Sequence, residues 1–138
     1  MDRLATVAIV VAVLATASSA LHVGGLGPAI PLTAPECRQG DFGASDCHAN
    51  VTKIIQNERS NIANMANATF TEFRPISYRA QVVSGMVYYA KVQVGNASYV
   101  HAEIWQHAYN LSSNALEYTV VAVQSNMTLS DDILPIHK

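Results

Sequence analysis

The sequence predicts an α+β domain in which one helix covers one face of an antiparallel sheet. Three observations predict it. Residues 47–66 carry apolar side chains at helical spacing. From Phe70 onward the residue types become aromatic and β-branched, in runs broken by turn signals. The chain has 138 residues, room for one ordinary domain and no second of normal size. A helix followed by a strand meander is the order of a helix-on-sheet architecture.

Each element follows in chain order. The chain opens on Met1-Asp2-Arg3, then an apolar stretch from Leu4 to Ala15, then Thr16-Ala17-Ser18-Ser19-Ala20. A short positive start, an apolar core and a small-residue exit form the pattern of a secretory signal peptide. Cleavage is expected after Ala20. The alternative is an uncleaved membrane anchor, but the apolar core is about a dozen residues against the ~20 a spanning helix needs. Residues 21–46 are rich in Gly, Pro and Ala and read as irregular. From Cys47 to Ala66, Val51, Ile54, Ile55, Ile62 and Met65 fall near one helical face. Asn50, Lys53, Asn57, Ser60, Asn61 and Asn64 fall on the other. Ser45 or Asp46 is placed to cap the helix start.

Four strands follow. Ile76, Tyr78, Ala80 and Val82 alternate with Ser77, Arg79 and Gln81, the pattern of a half-buried strand. Ser84-Gly85 signals a hairpin, and Met86 to Val94 returns. Gly95-Asn96 turns the chain again. Tyr99 to Gln106 sets Val100, Ala102 and Ile104 opposite His101, Glu103 and Trp105. A polar stretch from Asn110 to Asn114 reads as a loop, and Leu116 to Gln124 as the last strand.

Composition excludes several functions. Half of the residues are apolar, 13% are charged, and 8 basic against 10 acidic residues give a net charge of −2. That argues against nucleic-acid binding by bulk charge. Two cysteines cannot build a four-cysteine zinc site. His101-Ala102-Glu103 resembles the start of a zinc deaminase signature, but no Pro-Cys-x-x-Cys follows. It reads instead as the solvent face of a strand. No nucleophile elbow, phosphate loop or dinucleotide fingerprint is present. The sequence supports no enzyme, no metal and no cofactor.

Export would give other residues meaning. Asn50, Asn67, Asn96, Asn110 and Asn126 each open an Asn-x-Ser/Thr sequon, an acceptor for glycosylation in the secretory pathway. Cys37 and Cys47 are expected to form a disulfide there, worth about 2–3 kcal/mol on the chain-entropy account. The alternative is a free nucleophilic cysteine with His48 as its base, but a pair in an exported chain normally bridges.

One feature points outward. In Gln81-Val82-Val83-Ser84-Gly85, successive side chains of a strand alternate, so the adjacent valines cannot both enter a core. A β-bulge would bury both. Otherwise one valine stands exposed at a hairpin tip, the mark of a binding edge. Here the residues resemble a known family. Gln-Val-Val-Ser-Gly fits the Gln-x-Val-x-Gly motif of the cystatins, inhibitors of papain-like cysteine proteases. Tyr78-Arg79-Ala80 before it, and Tyr88-Tyr89-Ala90-Lys91-Val92, Gly95 and Tyr99-Val100-His101 after it, look like the stefin branch. Val23-Gly24-Gly25-Leu26 resembles the glycine-containing N-terminal trunk of that family.

The resemblance implies a cystatin-like fold, one long helix across a four- to five-stranded antiparallel sheet. It implies a three-part wedge that occludes the protease cleft reversibly. Val23 would fill an apolar subsite, with Gly24 and Gly25 letting the chain bend away. Gln81, Val82, Val83, Ser84 and Gly85 would sit beside the catalytic residues. A second hairpin falls near His107 to Asn110, with Ala108 and Tyr109 as contacts. The Leu-Pro or Pro-Trp pair usual there is absent, and a glycan on Asn110 would obstruct docking. The implied organisation is a signal at 1–20, a trunk at 21–36 and a domain at 37–138. That domain carries an insertion of about fifteen residues closed by the cysteine pair. Some secreted members inhibit legumain through an asparagine after the helix. Asn67 lies near that position but opens a sequon. The expected partners are papain-like proteases, with no nucleic acid and no membrane after signal cleavage. The expected state is a monomer open to domain swapping at the first hairpin. The competing reading is a secreted cystatin-fold glycoprotein that binds another partner and has lost inhibition.

Overall fold

A computed structural model describes residues 25–32 and 48–137. The expected signal segment, Val23, Gly24, both cysteines and the cap candidates Ser45 and Asp46 lie outside the described residues. Helix α1 (His48–Asn57) and helix α2 (Arg59–Ala66) are followed by strands that form most of one antiparallel sheet. The strands are β1 (Ile30–Pro31), β2 (Arg74–Val83), β3 (Gly85–Gly95), β4 (Ser98–Gln106) and β5 (Tyr118–Met127), in spatial order β1-β2-β3-β4-β5.

The expected helix is present and is divided at Glu58. Its N–H is shared between the carbonyls of Ile54 (3.3 Å) and Ile55 (3.1 Å), and its own carbonyl accepts from Ile62 N–H at 2.9 Å. Val51, Ile55 and Ile62 are fully buried, because residues four and seven apart recur on one helical face. Ile54 and Met65 share one border of that stripe. Ile54 is half-buried, while Met65 is 47% exposed. Met65 falls on the apolar helical face read from the sequence but is not buried with it. It stands in the last helical turn, just before Asn67 leaves the helix in a left-handed conformation (φ 50°).

The helices cover the face that carries Tyr78, Ala80, Tyr88, Ala90, Val92, Val100, Ala102, Ile104 and Val120. Strand register explains the selection. Tyr78 faces Ala90, which faces Ala102; Ala80 faces Tyr88, which faces Ile104. Small and large side chains therefore alternate along each strand, as Tyr78 with Ala80, Tyr88 with Ala90 and Ala102 with Ile104. The Tyr78 and Tyr88 rings meet edge-on at 6.1 Å between centroids, a preferred aromatic geometry.

Three expectations need correction. Residues 21–46 were read as irregular, yet Ile30 and Pro31 pair with Tyr78 and Ser77. Leu32 N–H donates to the Ile76 carbonyl at 2.8 Å. Pro31 is tolerated because an edge strand leaves one side of its backbone unpaired. The last strand was placed from Leu116, but pairing begins at Tyr118 and runs on to Met127.

The third correction concerns His101 and Glu103, which were placed on a solvent face. Both are buried, as is Lys91. Their face is covered by residues 128–137, which run across it. Lys91 Nζ donates to the carbonyls of Leu129 (2.7 Å) and Asp131 (2.6 Å). Arg79 Nη1 donates to the Ile133 carbonyl at 2.9 Å. Glu103 Oε1 accepts from Ile136 N–H at 2.5 Å, and Ile133 is buried. Polar alternation in β3 and β4 thus marks a strap-binding face rather than a wetted one. His101 Nε2 is buried there without a hydrogen-bond partner.

Candidate functional site

Three segments meet at one end of the sheet. The first is the chain entering β1. Leu26 bridges Gln81 in antiparallel register, and Gly27 N–H donates to the Ala80 carbonyl at 2.8 Å. A Cβ on Gly27 would lie 2.9 Å from that carbonyl oxygen, so only glycine allows the approach. Arg79 Nε donates to the Gly27 carbonyl at 2.7 Å while its Nη1 holds Ile133. One guanidinium thus fixes both the incoming chain and the C-terminal strap. Because the pairing is antiparallel, Gly25, exposed, lies beyond Leu26 toward the Val82–Val83 end of β2.

The second segment is the hairpin between β2 and β3. Val82 pairs with Met86 and Val83 with Gly85, leaving Ser84 at the tip. Val82 packs against the core, while Val83 is 42% exposed. No register shift occurs at the tip, so alternation rather than a bulge decides the outcome. Gly85 takes φ +93°, a conformation that L side chains rarely adopt. The Gln81 amide oxygen accepts from Tyr89 Oη at 2.7 Å on the strap face. Burial, and then the Glu103 carboxylate, push the Tyr89 hydroxyl above its ordinary pKa, so it remains a donor.

The third segment is the loop from His107 to Glu117. His107 N–H donates to the Glu117 carbonyl at 2.9 Å, and Asn110 N–H to the Ala115 carbonyl at 3.3 Å. The loop therefore extends the β4–β5 ladder as a second hairpin. Asn110 Oδ1 accepts from Ser112 N–H at 2.9 Å, a side-chain turn that shapes the tip. Tyr109 Oη is hydrogen-bonded to Asn114 Oδ1. Ala108, Tyr109 and Asn110 are all exposed, and Leu111 is 87% exposed.

The two hairpin tips are uncharged and mix aliphatic with amide and hydroxyl groups, and the Glu117 carboxylate sits at the base of the second loop, accepting from Asn110 Nδ2 at 3.4 Å. No Asp, Glu, Lys or Arg occurs at 81–85 or 108–116. Such an edge presents backbone and aliphatic groups rather than catalytic ones. Gly25, Gln81 to Gly85, Ala108 and Tyr109, singled out from the sequence, lie at this end of the sheet. Sequence reading missed Leu111, Gly27 and Trp105. Leu111 was hidden in a polar run that read only as a loop. Gly27 and Trp105 act through backbone contacts that no motif records.

All five sequon asparagines are exposed. Asn96 lies in the β3–β4 turn and Asn126 near the end of β5, at the end of the sheet away from the hairpin tips. Asn67 closes α2. Asn50 lines a groove with Gln106, Leu116 and Tyr118 near the second hairpin. Asn110 lies within that hairpin.

The family profile described as Cystatin domain matches residues 44–127, which span both helices and the strands from β2 to β5. The chain belongs to the cystatin family. Cystatins are protease inhibitors rather than enzymes, in keeping with an edge that has no catalytic side chains. Leukocyte cysteine proteinase inhibitor 1 of Sus scrofa is 38% identical over 56 residues, 41% of this chain and 54% of that protein. Cystatin-A1 of Sus scrofa is 36% identical over the same extent. This chain thus spans about half the length of those two relatives. Cystatin-B of Homo sapiens is 29% identical over 85 residues, 62% of this chain and 84% of that protein. The cystatin profile begins after residues 25–32, so the pairing of that segment with β2 rests on the structure alone.

Proposed function

We propose that this cystatin is a secreted, reversible inhibitor of papain-like cysteine proteases, and that it occludes the cleft with an edge of three segments. Gly25, the tip Gln81 to Gly85 and the hairpin around Ala108-Tyr109 form that edge, and the sequence motif assigns Val23 and Gly24 to its trunk. The observation that carries the reading is Val83. It is an aliphatic side chain left exposed at the tip of a hairpin whose backbone is held in place. A preformed apolar tip binds with little ordering cost, because few rotamers and no loop need to be fixed. The signal-like start, the five exposed sequons and the Cys37–Cys47 pair support export and a local disulfide.

Titration of the mature protein against papain tests this. Stoichiometric inhibition is expected, reversed on dilution. Val83→Asp should weaken it about 100-fold, since a charge replaces an aliphatic contact in a desolvated cleft. Its melting temperature should barely change, because Val83 is not a core residue. Gly24→Arg should also weaken inhibition. No inhibition at micromolar concentration, with or without enzymatic deglycosylation, would sink the proposal.

A second reading is favoured by one observation. Asn110 opens an exposed sequon between the exposed Tyr109 and Leu111. A sugar there would stand on the docking edge. On this reading the chain is a secreted cystatin-fold glycoprotein that binds another partner and no longer inhibits. Failure of the deglycosylated form in the papain titration would favour it.

A further inference from the structure

We propose that Trp105 is a positioning residue for inhibition, tying the two hairpins of the docking edge into one preformed unit. The inference rests on the inhibitor reading above and adds a residue outside the trunk, the first tip and the second loop.

Three contacts carry it. Trp105 pairs in register with Val87 on one side and Thr119 on the other, so it sits where β4 meets both hairpins. Its indole Nε1–H donates to the Ser84 carbonyl, at the tip of the first hairpin, at 3.0 Å. Its ring stacks on His107, the first residue of the second loop, with centroids 3.9 Å apart and planes 26° apart. His107 is in turn anchored, its Nε2 lying 2.7 Å from Thr119 Oγ1 and its N–H bonded to the Glu117 carbonyl. The chain of contact runs from Ser84 through Trp105 and His107 to β5. One side chain therefore fixes where the first tip stands relative to the second hairpin.

The physical consequence is kinetic. An edge that must be in one arrangement to enter a cleft associates in proportion to the fraction already arranged. Phenylalanine at 105 keeps a stacked ring and loses only the donor to Ser84. Trp105→Phe should therefore slow association with papain about three- to tenfold, with dissociation changed by less than about twofold. A purely structural role would lower the melting temperature and leave both rate constants unchanged below it.

The chain contains one tryptophan, which gives a direct readout. In the 15N-labelled free protein a single indole N–H resonance is expected, with its hydrogen exchange slowed by the bond to Ser84. It should shift on adding unlabelled papain. Stopped-flow association and displacement measurements on the wild type and Trp105→Phe supply the rates. Wild-type rate constants in the variant, or an indole N–H exchanging as fast as in free tryptophan, would overturn the proposal. If the wild type itself does not inhibit papain, the inhibitor reading fails. The exchange measurement then still decides whether the clamp exists.

Discussion

Replacing Gly85 by alanine adds one methyl group where two hairpins touch. The new Cβ would lie 2.0 Å from the Gln106 carbonyl oxygen, 2.9 Å from His107 C and 3.0 Å from Ala108 N. All three are backbone atoms, so no side chain can swing aside. Ordinary contact begins at 3.4 Å, so the first tip and the second hairpin must separate by more than about 1 Å. The left-handed φ of +93° adds about 1–2 kcal/mol for a residue with a Cβ. Losing one or two ladder hydrogen bonds where Met86 meets Gln106 adds about 1 kcal/mol each. The sum is a destabilisation of about 2–4 kcal/mol, which lowers the melting temperature by about 10 °C in a domain of this size. Inhibition should suffer more than stability, because displacing a preorganised group by about 1 Å costs about 100-fold. Circular-dichroism melts and papain titration measure the two effects. A melt within about 1 °C of wild type and an inhibition constant within about twofold would refute the backbone contact on which the edge is built.

Two further outcomes are expected. Burial, and then the adjacent Lys91 ammonium, hold the His101 pKa below its ordinary 6.5, with Asp131 opposing weakly. The folded state therefore resists a proton that the unfolded chain takes up. Stability is full above that ordinary value and falls as pH drops below it toward the depressed folded value. Urea midpoints at neutral and mildly acidic pH should show this slope, and His101→Gln should flatten it; an equal slope in the variant would assign the effect elsewhere. Ser112→Ala removes the sequon at Asn110 while keeping the backbone N–H that shapes the turn. In protein from a eukaryotic secretory host it should lower the mass by one glycan and tighten inhibition. A mass lower only by the serine oxygen would show that Asn110 carries no sugar.

Much of the architecture was legible because it depends on period. Val51, Ile55 and Ile62 share a helical stripe, and Tyr78 and Ala80, or Tyr88 and Ala90, share a strand face. Those relations are fixed by backbone geometry before any packing occurs. The exposed valine at the hairpin tip was legible for the same reason. Val82 and Val83 are adjacent, so one of them had to leave the core. Met65 shares the apolar face yet is half exposed, because period gives an angle and not the position at which a helix stops covering the sheet. His101 and Glu103 were misplaced because polar alternation looks the same whether water or a backbone strap satisfies it.

The sequence by itself determined the fold class, the hairpin motif and the absence of catalytic groups at its tip. Each is a local or periodic property, carried by neighbouring residues. Only tertiary structure decided what holds the three-segment edge in place. The Gly85 approach to Gln106, the Trp105 bond to Ser84 and the Arg79 clamp on Gly27 and Ile133 each join residues far apart in the chain. So does the burial of His101 beneath the C-terminal strap. Such contacts depend on which backbone carbonyl stands opposite a given donor, and that is set by strand register and turn geometry. A single sequence encodes those only through the whole packed sheet.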